Sequence, residues 1–245
     1  MYIKGVKTRK YTLMTKILEK TPVESWILLV QSMQNAVENT HDELGKLRLP
    51  TKNCKASLKM DFVNASVEDC ESALELNRVH KGPWTFPILF SAEAQLVLAF
   101  VKKNYFEGLL EKPDYSRPKY MNGLAFFNKK EKGRKSQCNL FGDAEYDEEY
   151  VDFKMVDACC KFEGAEGINN MRSAFVVYDD DGVQLTYIRA CVVDYNFCKV
   201  EEINLLDMLK VSVPDAPEVT PIQEVEEPTL SLKQKAIERI GAKEA

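Results

Sequence analysis

Two segments of this chain have the pattern of a β-hairpin, and they constrain the fold more than any other feature. In residues 84–101, the apolar runs TFPILF and QLVLAFV flank the short stretch at 91–94. In residues 173–194, the runs SAFVVY and VQLTYIRACVV flank the stretch DDDG at 179–182. Short runs of β-branched and aromatic residues around a polar turn are typical of two antiparallel strands. The sequence therefore predicts two β-hairpins.

Helical patterns precede, separate and follow these hairpins. Residues 12–45 have helical spacing, with Pro22 at the expected first position of a helix and an end near Gly45. Residues 46–66 are ambiguous, and a helix start at Ser66 is expected to run through Leu76. Further helices are predicted at 105–110, 120–127, 146–162 and 200–211.

The order of these elements indicates the fold class. Strands joined by tight turns are antiparallel, so we expect an α+β domain at residues 1–212. In it, an antiparallel sheet built from two β-hairpins packs with several helices. Residues 1–80 are expected to be mainly helical, and residues 81–212 to run hairpin, helices, hairpin, helix. The sequence leaves open whether the hairpins share one sheet, although a four-stranded sheet would bury both apolar faces.

The last part of the chain, residues 213–245, has a different composition. Its first sixteen positions, VPDAPEVTPIQEVEEP, hold four prolines and five acidic residues, which is typical of a disordered acidic linker. Residues 229–240 then recover helical character. The apolar residues proposed to dock a protein partner are Leu230, Leu232, Ile237 and Ile240. The alternatives are that this short helix folds back onto its own domain or has no role.

Charge and hydropathy limit the classes of function. The formal net charge of −5 argues against a dedicated nucleic-acid-binding protein, whose surface is usually basic. The first residues show no continuous apolar run of the secretory kind, and no segment is apolar over a length that crosses a membrane. We therefore expect a cytoplasmic protein with no membrane partner.

Candidate metal, cofactor and catalytic residues are few. The seven cysteines fit no zinc-ligand spacing, and the chain has two histidines, His41 and His80. We expect reduced, mostly buried thiols and neither a metal nor a cofactor. The acidic stretch at 179–182 lacks the distal glutamate of a calcium loop, so a hairpin turn with Gly182 at positive φ explains it better. No serine or cysteine is evidently placed beside a histidine, so no catalytic residue is assigned.

One basic cluster favours the alternative of nucleic-acid binding. Its members are Lys129, Lys130, Lys132, Arg134 and Lys135. Phosphate contact requires such groups on a solvent-facing surface, ideally beside aromatic rings that stack on bases. Phe126 and Phe127 precede the cluster, but their helical spacing favours burial in the core. A solvated loop is the competing interpretation.

An acidic run follows the basic cluster. Its members are Asp143, Glu145, Asp147, Glu148 and Glu149. The run could dock onto a basic partner surface. We favour the other interpretation, a solvated helix start, because carboxylates are stabilised at the positive end of the helix dipole.

One further fragment, Asp152-Phe153-Lys154, resembles the Asp-x-Lys of metal-dependent nucleases. That chemistry requires a strand, whereas these residues lie in a predicted helix. Nuclease activity is therefore a minor alternative.

Several short motifs in the middle and end of the chain occur in a fixed order. Gly82, Pro83 and Trp84 enter the first hairpin, and the aromatic-rich segment 101–106 follows. A Tyr-x-x-x-Leu-Ala-x-x-Asn run at 120–128, a Gln-x-x-Leu-Phe at 137–141 and a terminal hairpin complete the series. Over residues 80–210 this order resembles an uncharacterised domain family of Gram-positive bacteria and their prophages and mobile elements. Lys119 stands where that family usually has histidine, which weakens any chemistry expected there.

These observations favour a non-enzymatic role. We expect a protein-interaction or regulatory factor, and the resemblance implies a bacterium or phage and a part in phage defence or counter-defence. The partner would be a protein of unknown identity. The alternative is a nucleic-acid-binding protein, with nuclease activity as its minor form, that uses the basic loop at 129–135.

Overall fold

The computed structural model describes residues 18, 20–47, 54–68, 70, 74–81, 84–131 and 148–211. Within them the chain forms six α-helices and six β-strands. The helices are α1 Val23–Lys46, α2 Lys55–Glu68, α3 Lys103–Leu110, α4 Lys119–Phe126, α5 Phe153–Cys159 and α6 Leu206–Val211. The strands are β1 Glu75–Lys81, β2 Trp84–Ser91, β3 Leu96–Lys102, β4 Arg172–Asp180, β5 Leu185–Val193 and β6 Lys199–Asn204.

The six strands form one sheet in the order of the chain, β1-β2-β3-β4-β5-β6. Neighbouring strands are antiparallel except for β3 and β4, which are parallel. The α+β fold class and both hairpins, β2–β3 and β4–β5, are therefore confirmed. The question left open by the sequence is settled as well, because the parallel pair joins the two hairpins in a single sheet.

Both edge strands of the sheet contradict the sequence-based helices. The helix expected from Ser66 to Leu76 is wrong, since α2 ends at Glu68 and β1 pairs with β2 along its whole length. The helix expected at 200–211 is wrong in its first half, where β6 pairs with β5. The charged edge sequences ELNRVHK and KVEEIN have weak strand patterns. Hydrogen bonding to an adjacent strand decides their conformation.

Helices cover both faces of the sheet. On β4, Ala174 and Val176 face one core, which also contains residues of α1, α2 and α6. Phe175 and Val177 face the opposite core, which contains residues of α3, α4 and α5. This alternation follows from the two-residue period of a strand. The connection between β3 and β4 is long, as parallel neighbours require, and its helices α3, α4 and α5 pack on the second face.

A buried asparagine, Asn128, fixes that connection to the sheet just after α4. Its side-chain nitrogen donates to the backbone oxygens of Ser173 at 2.9 Å and Val193 at 2.8 Å, and its side-chain oxygen accepts from the Ser173 backbone nitrogen at 3.0 Å. The Ser173 hydroxyl donates to the Leu124 carbonyl at 2.7 Å. Because Asn128 is fully buried, these hydrogen bonds hold the end of α4 against β4 and β5.

Close contact between α4 and α5 depends on Gly123. A Cβ atom at this position would lie 2.9 Å from the backbone oxygen of Asp152, which precedes α5. Any larger residue would therefore push the two helices apart.

No helix in the described ranges is long and apolar enough to cross a membrane. Residues 213–245 lie outside those ranges, so the docking helix that contains Leu230, Leu232, Ile237 and Ile240 stays a prediction.

We predict that Asn128→Ala lowers the free energy of unfolding by about 3 kcal/mol, because it leaves buried backbone groups of two strands without a partner. Chemical denaturation would measure the change. Asn169→Ala is the control, since Asn169 is exposed. Equal stability of the two variants would contradict the anchoring role of Asn128.

Candidate functional site

The most distinctive feature of the sheet is a gap between β2 and β3. Their pairing runs from Ser91 opposite Leu96 to Ile88 opposite Ala99 and stops there. Yet β2 continues back to Trp84, and β3 continues on to Lys102. Pro87, the first residue beyond the paired region, has no N–H to donate to a ladder. The two strands therefore separate over about half of their length.

A cavity of about 210 Å³ occupies this gap. Its walls come from both helical layers as well as from β2, β3 and β4. The lining residues are Met60, Val63, Asn64, Phe86, Pro87, Ile88, Ala99, Phe100, Val101, Lys102, Tyr105, Tyr120, Met121, Leu124, Met155 and Tyr178. Most of them are aliphatic, aromatic or thioether side chains, so the cavity favours an apolar occupant.

Aromatic residues of α3 and α4 form one end of the cavity. The Tyr120 ring stacks on Phe86 with 5.3 Å between centroids, and the Tyr120 side chain hydrogen bonds with Tyr105. Burial, together with this hydrogen bond, raises the pKa of Tyr120, so its hydroxyl is protonated at neutral pH. Tyr105 is exposed and provides a route from solvent.

The start of α4 is held by a buried arginine. Arg117 donates to the Lys112 carbonyl at 2.8 Å and to the Asn122 side-chain oxygen at 3.2 Å. Asn122 in turn donates to the backbone oxygens of Asp114 and Tyr150. Tyr120 lies on the same first turn of α4, so this network fixes its position in the cavity wall.

A buried ionic cluster lies beside the cavity. The carboxylate of Asp180, at the end of β4, accepts hydrogen bonds from Lys59 of α2 and, at 3.0 Å, from Lys102 at the end of β3. Burial disfavours the charged form of Asp180, but the two lysines outweigh that effect and lower the pKa of its carboxyl group. Lys59 is 6% exposed, so the cluster connects α2 to the ends of the parallel strands inside the protein.

Two polar groups of the cavity wall lack strong partners. The Asn64 side-chain oxygen is buried and accepts no hydrogen bond from any described residue. The Tyr178 hydroxyl donates to the Met60 sulfur at 3.7 Å, and a thioether is a weak acceptor. Lys102 lies next to Tyr178, with its Nζ 5.6 Å from the centre of the Tyr178 ring. The residues that line the cavity therefore include an acceptor, a donor and a cation.

The structure describes two of the five basic cluster residues. Lys129 places its Nζ 4.4 Å from the centre of the Phe126 ring, and Lys130 is exposed. Phe126 and Phe127 are buried in the core, as their spacing predicted, so neither ring is available to stack on a base. Lys132, Arg134 and Lys135 lie outside the described residues.

The acidic run is also described only at its end. Glu148 and Glu149 are exposed in a short 3-10 turn, Glu148–Tyr150, whose last carbonyls receive contacts from α4. The helix expected at 146–162 is shorter than predicted, because α5 begins at Phe153 after Asp152. Asp143, Glu145 and Asp147 lie outside the described residues.

The acidic stretch at 179–182 forms the turn that the sequence predicts. Gly182 has a φ of 96°, and the Asp181 carboxylate accepts hydrogen bonds from the backbone of Val183 and Gln184 at 2.9 Å each. His41 of α1 contacts the Gly182 carbonyl at 3.1 Å. Within the described ranges, no group of three His, Cys, Asp or Glu side chains is arranged to hold a metal ion.

The Tyr120-to-Asn128 motif acquires a physical explanation from these contacts. Tyr120 and Leu124 line the cavity, and Asn128 anchors the connection to the sheet. Lys119, which replaces the histidine expected from the resemblance, donates to the Glu149 carbonyl at 2.8 Å. The motif therefore serves the placement of α4 at the cavity.

Comparison with known proteins assigns the chain to a family. The sequence profile of DUF5986, a family of unknown function, matches residues 12–245. The chain belongs to this family. No curated protein and no solved structure matches it. The prediction of an uncharacterised domain family is thus confirmed. The DUF5986 match extends well beyond residues 80–210 and includes α1 and α2. Of these two helices, α2 contributes Met60 and Asn64 to the cavity wall.

The cavity was missed from the sequence because its residues are distributed over seven elements of this DUF5986 protein. One local signal was present, since a proline inside an apolar strand marks a position where strand pairing is interrupted. Pro87 is that residue. The charged partners Lys59, Lys102 and Asp180 are far apart in the sequence and carry no shared motif.

We predict that Asp180→Asn lowers the free energy of unfolding by about 3 kcal/mol at pH 7, because it leaves the buried Lys59 ammonium without its carboxylate. Since the pKa of Asp180 is lowered, its contribution is complete above about pH 4 and is lost as the pH falls through its folded-state pKa. Denaturation of wild type and variant at pH values between 7 and 3 would measure their free energies of unfolding. We expect the difference between the two to shrink as the pH falls. Asp157→Asn, at an exposed position, should have little effect at either pH.

Proposed function

We propose that this protein is a non-enzymatic regulatory protein that works by binding, with the cavity between β2 and β3 as its binding site. The observation that carries the proposal is the gap in the sheet, which opens an apolar space where a continuous sheet would have none. Binding sites for small molecules are typically apolar recesses with a few placed polar groups, and this cavity fits that description.

The size of the cavity supports a small occupant. An engineered apolar cavity of about 150 Å³ binds benzene, so 210 Å³ accommodates one aromatic ring with a short substituent. Eight of the sixteen lining residues are Tyr, Met or Phe. Met adapts its shape to an occupant, and the aromatic rings offer large flat surfaces to it.

The reactive side chains of the described region support binding rather than catalysis. His41 contacts the β4–β5 turn, His80 lies 3.0 Å from Thr85 on the opposite strand, and neither lines the cavity. Burial raises the pKa of the Cys159 and Cys191 thiols to about 12, so both are protonated and poorly nucleophilic at neutral pH.

A regulatory role also requires a partner, which we take to be a protein. The support is compositional: residues 213–245 combine an acidic, proline-rich stretch with a short amphipathic segment. The setting of phage defence or counter-defence in a bacterium or phage rests on the motif resemblance alone. Partner binding through the tail would then respond to occupancy of the cavity.

We predict that 2-phenylethanol, an uncharged molecule with one ring, binds the wild-type chain and that Ala99→Leu abolishes binding. Ala99 lines the cavity, so a larger side chain at this position occupies the space that the ligand would need. Titration of the ¹⁵N-labelled full chain, followed by NMR, would measure binding.

Ala158→Leu on α5 is the control and should bind as wild type does, because Ala158 does not line the cavity. A second filling variant, Met155→Phe, tests the same space from α5. Binding that survives both filling variants would refute the cavity as the site.

A further inference from the structure

The polar side of the cavity indicates which small molecule it accepts, an inference that rests on the proposed function. We propose that the ligand is a small aromatic or branched aliphatic carboxylate that also carries a hydroxyl or ammonium group next to the carboxylate. The apolar body would lie among the aliphatic and aromatic walls. The polar end would lie between Asn64, Tyr178 and Lys102.

The charge of the neighbouring cluster favours an anion. Two lysines, Lys59 and Lys102, share the single carboxylate of Asp180, so these three side chains carry one net positive charge, and the Asp179 carboxylate lies near Tyr178 outside this group. Lys59 is buried, while Lys102 lines the cavity and is half exposed. A lysine ammonium has three N–H donors, and Asp180 accepts one of those of Lys102. A ligand carboxylate would receive another and balance the charge.

Tyr178 provides a second donor for the same carboxylate. Its side chain is 1% exposed, and its hydroxyl now donates to the Met60 sulfur. Exchanging a thioether for a carboxylate oxygen replaces a weak acceptor with a strong one. Burial, together with the nearby Asp180 and Asp179 charges, raises the pKa of Tyr178, so the hydroxyl keeps its proton for donation.

Asn64 accounts for the second polar group on the ligand. Its buried side-chain oxygen accepts no hydrogen bond within the described residues, and an unsatisfied buried acceptor is costly. A ligand with a carboxylate alone would bring two more acceptor oxygens towards the Asn64 oxygen, which needs a donor. A hydroxyl or ammonium group beside the carboxylate would instead donate to Asn64, so the two functional groups together match the three side chains.

Three probes that share one phenyl ring test this inference. Mandelate has a carboxylate and an adjacent hydroxyl, phenylacetate has the carboxylate alone, and 2-phenylethanol has no charge. We expect wild type to bind mandelate about tenfold more tightly than phenylacetate, and phenylacetate about tenfold more tightly than 2-phenylethanol. NMR titration or calorimetry with the full chain would measure the three affinities.

Two variants assign each preference to a side chain. Lys102→Met should remove the advantage of phenylacetate over 2-phenylethanol, and Asn64→Leu should remove the advantage of mandelate over phenylacetate. Lys103→Met is the matched control, because the Lys103 ammonium lies over the Tyr187 ring at 4.8 Å and does not line the cavity. Thermal denaturation without ligand would verify that each variant folds, and Lys59 still pairs with Asp180 when Lys102 is replaced.

The outcomes separate this inference from the proposed function. If 2-phenylethanol binds in the cavity as tightly as the two carboxylates do, the binding function stands and the anion preference is refuted. If the carboxylates bind best but Lys103→Met weakens them as much as Lys102→Met does, the assignment to Lys102 is refuted. If none of the three probes binds, both proposals are wrong.

Discussion

The parallel pairing of β3 with β4 is the constraint on which the rest of the structure depends. Each hairpin pairs its own strands locally, but a single hairpin is only marginally stable in water. Joining them through β3 and β4 builds one sheet with two apolar faces, each covered by helices. It also requires a long connection between β3 and β4, and the helices α3, α4 and α5 of that connection pack against one face of the sheet. Asn128 holds that connection in place.

The same arrangement creates the cavity. β3 pairs with β4 along its whole length, from Leu96 to Lys102. β2 pairs with β1 from Trp84 to Phe90 but with β3 only from Ile88 onward, so its first half is separated from β3. The helices on either face close the resulting gap without filling it. The buried pairing of Lys59 with Asp180 then fixes α2 beside the gap. Removing one member of such a pair is costly, so the pairing stabilises the position of α2 beside the cavity.

A cavity of this kind suits a regulatory protein because it connects otherwise separate parts of the fold. Its walls include α2 on one face, α3, α4 and α5 on the other, and three strands between them. An occupant that contacts both layers stabilises their present separation, and a ligand that binds only the folded state raises its stability by mass action. Occupancy would thus bias the relative positions of the elements that surround the gap, which is the physical basis of a ligand-responsive binding protein.

Local patterns were sufficient to predict the hairpins, α1, the α+β class and the Asp179-to-Gly182 turn, because each depends on the spacing of apolar residues or on turn chemistry within one segment. The edge strands β1 and β6 were predicted wrongly, since their charged sequences become strands only by pairing with β2 and β5. The sequence by itself determined which segments are strands at the centre of the sheet. Only the tertiary structure decided that the hairpins join in parallel, that β2 and β3 separate at Pro87, and that Asn64, Lys102 and Tyr178 line the same cavity, because each of these results depends on residues far apart in the chain.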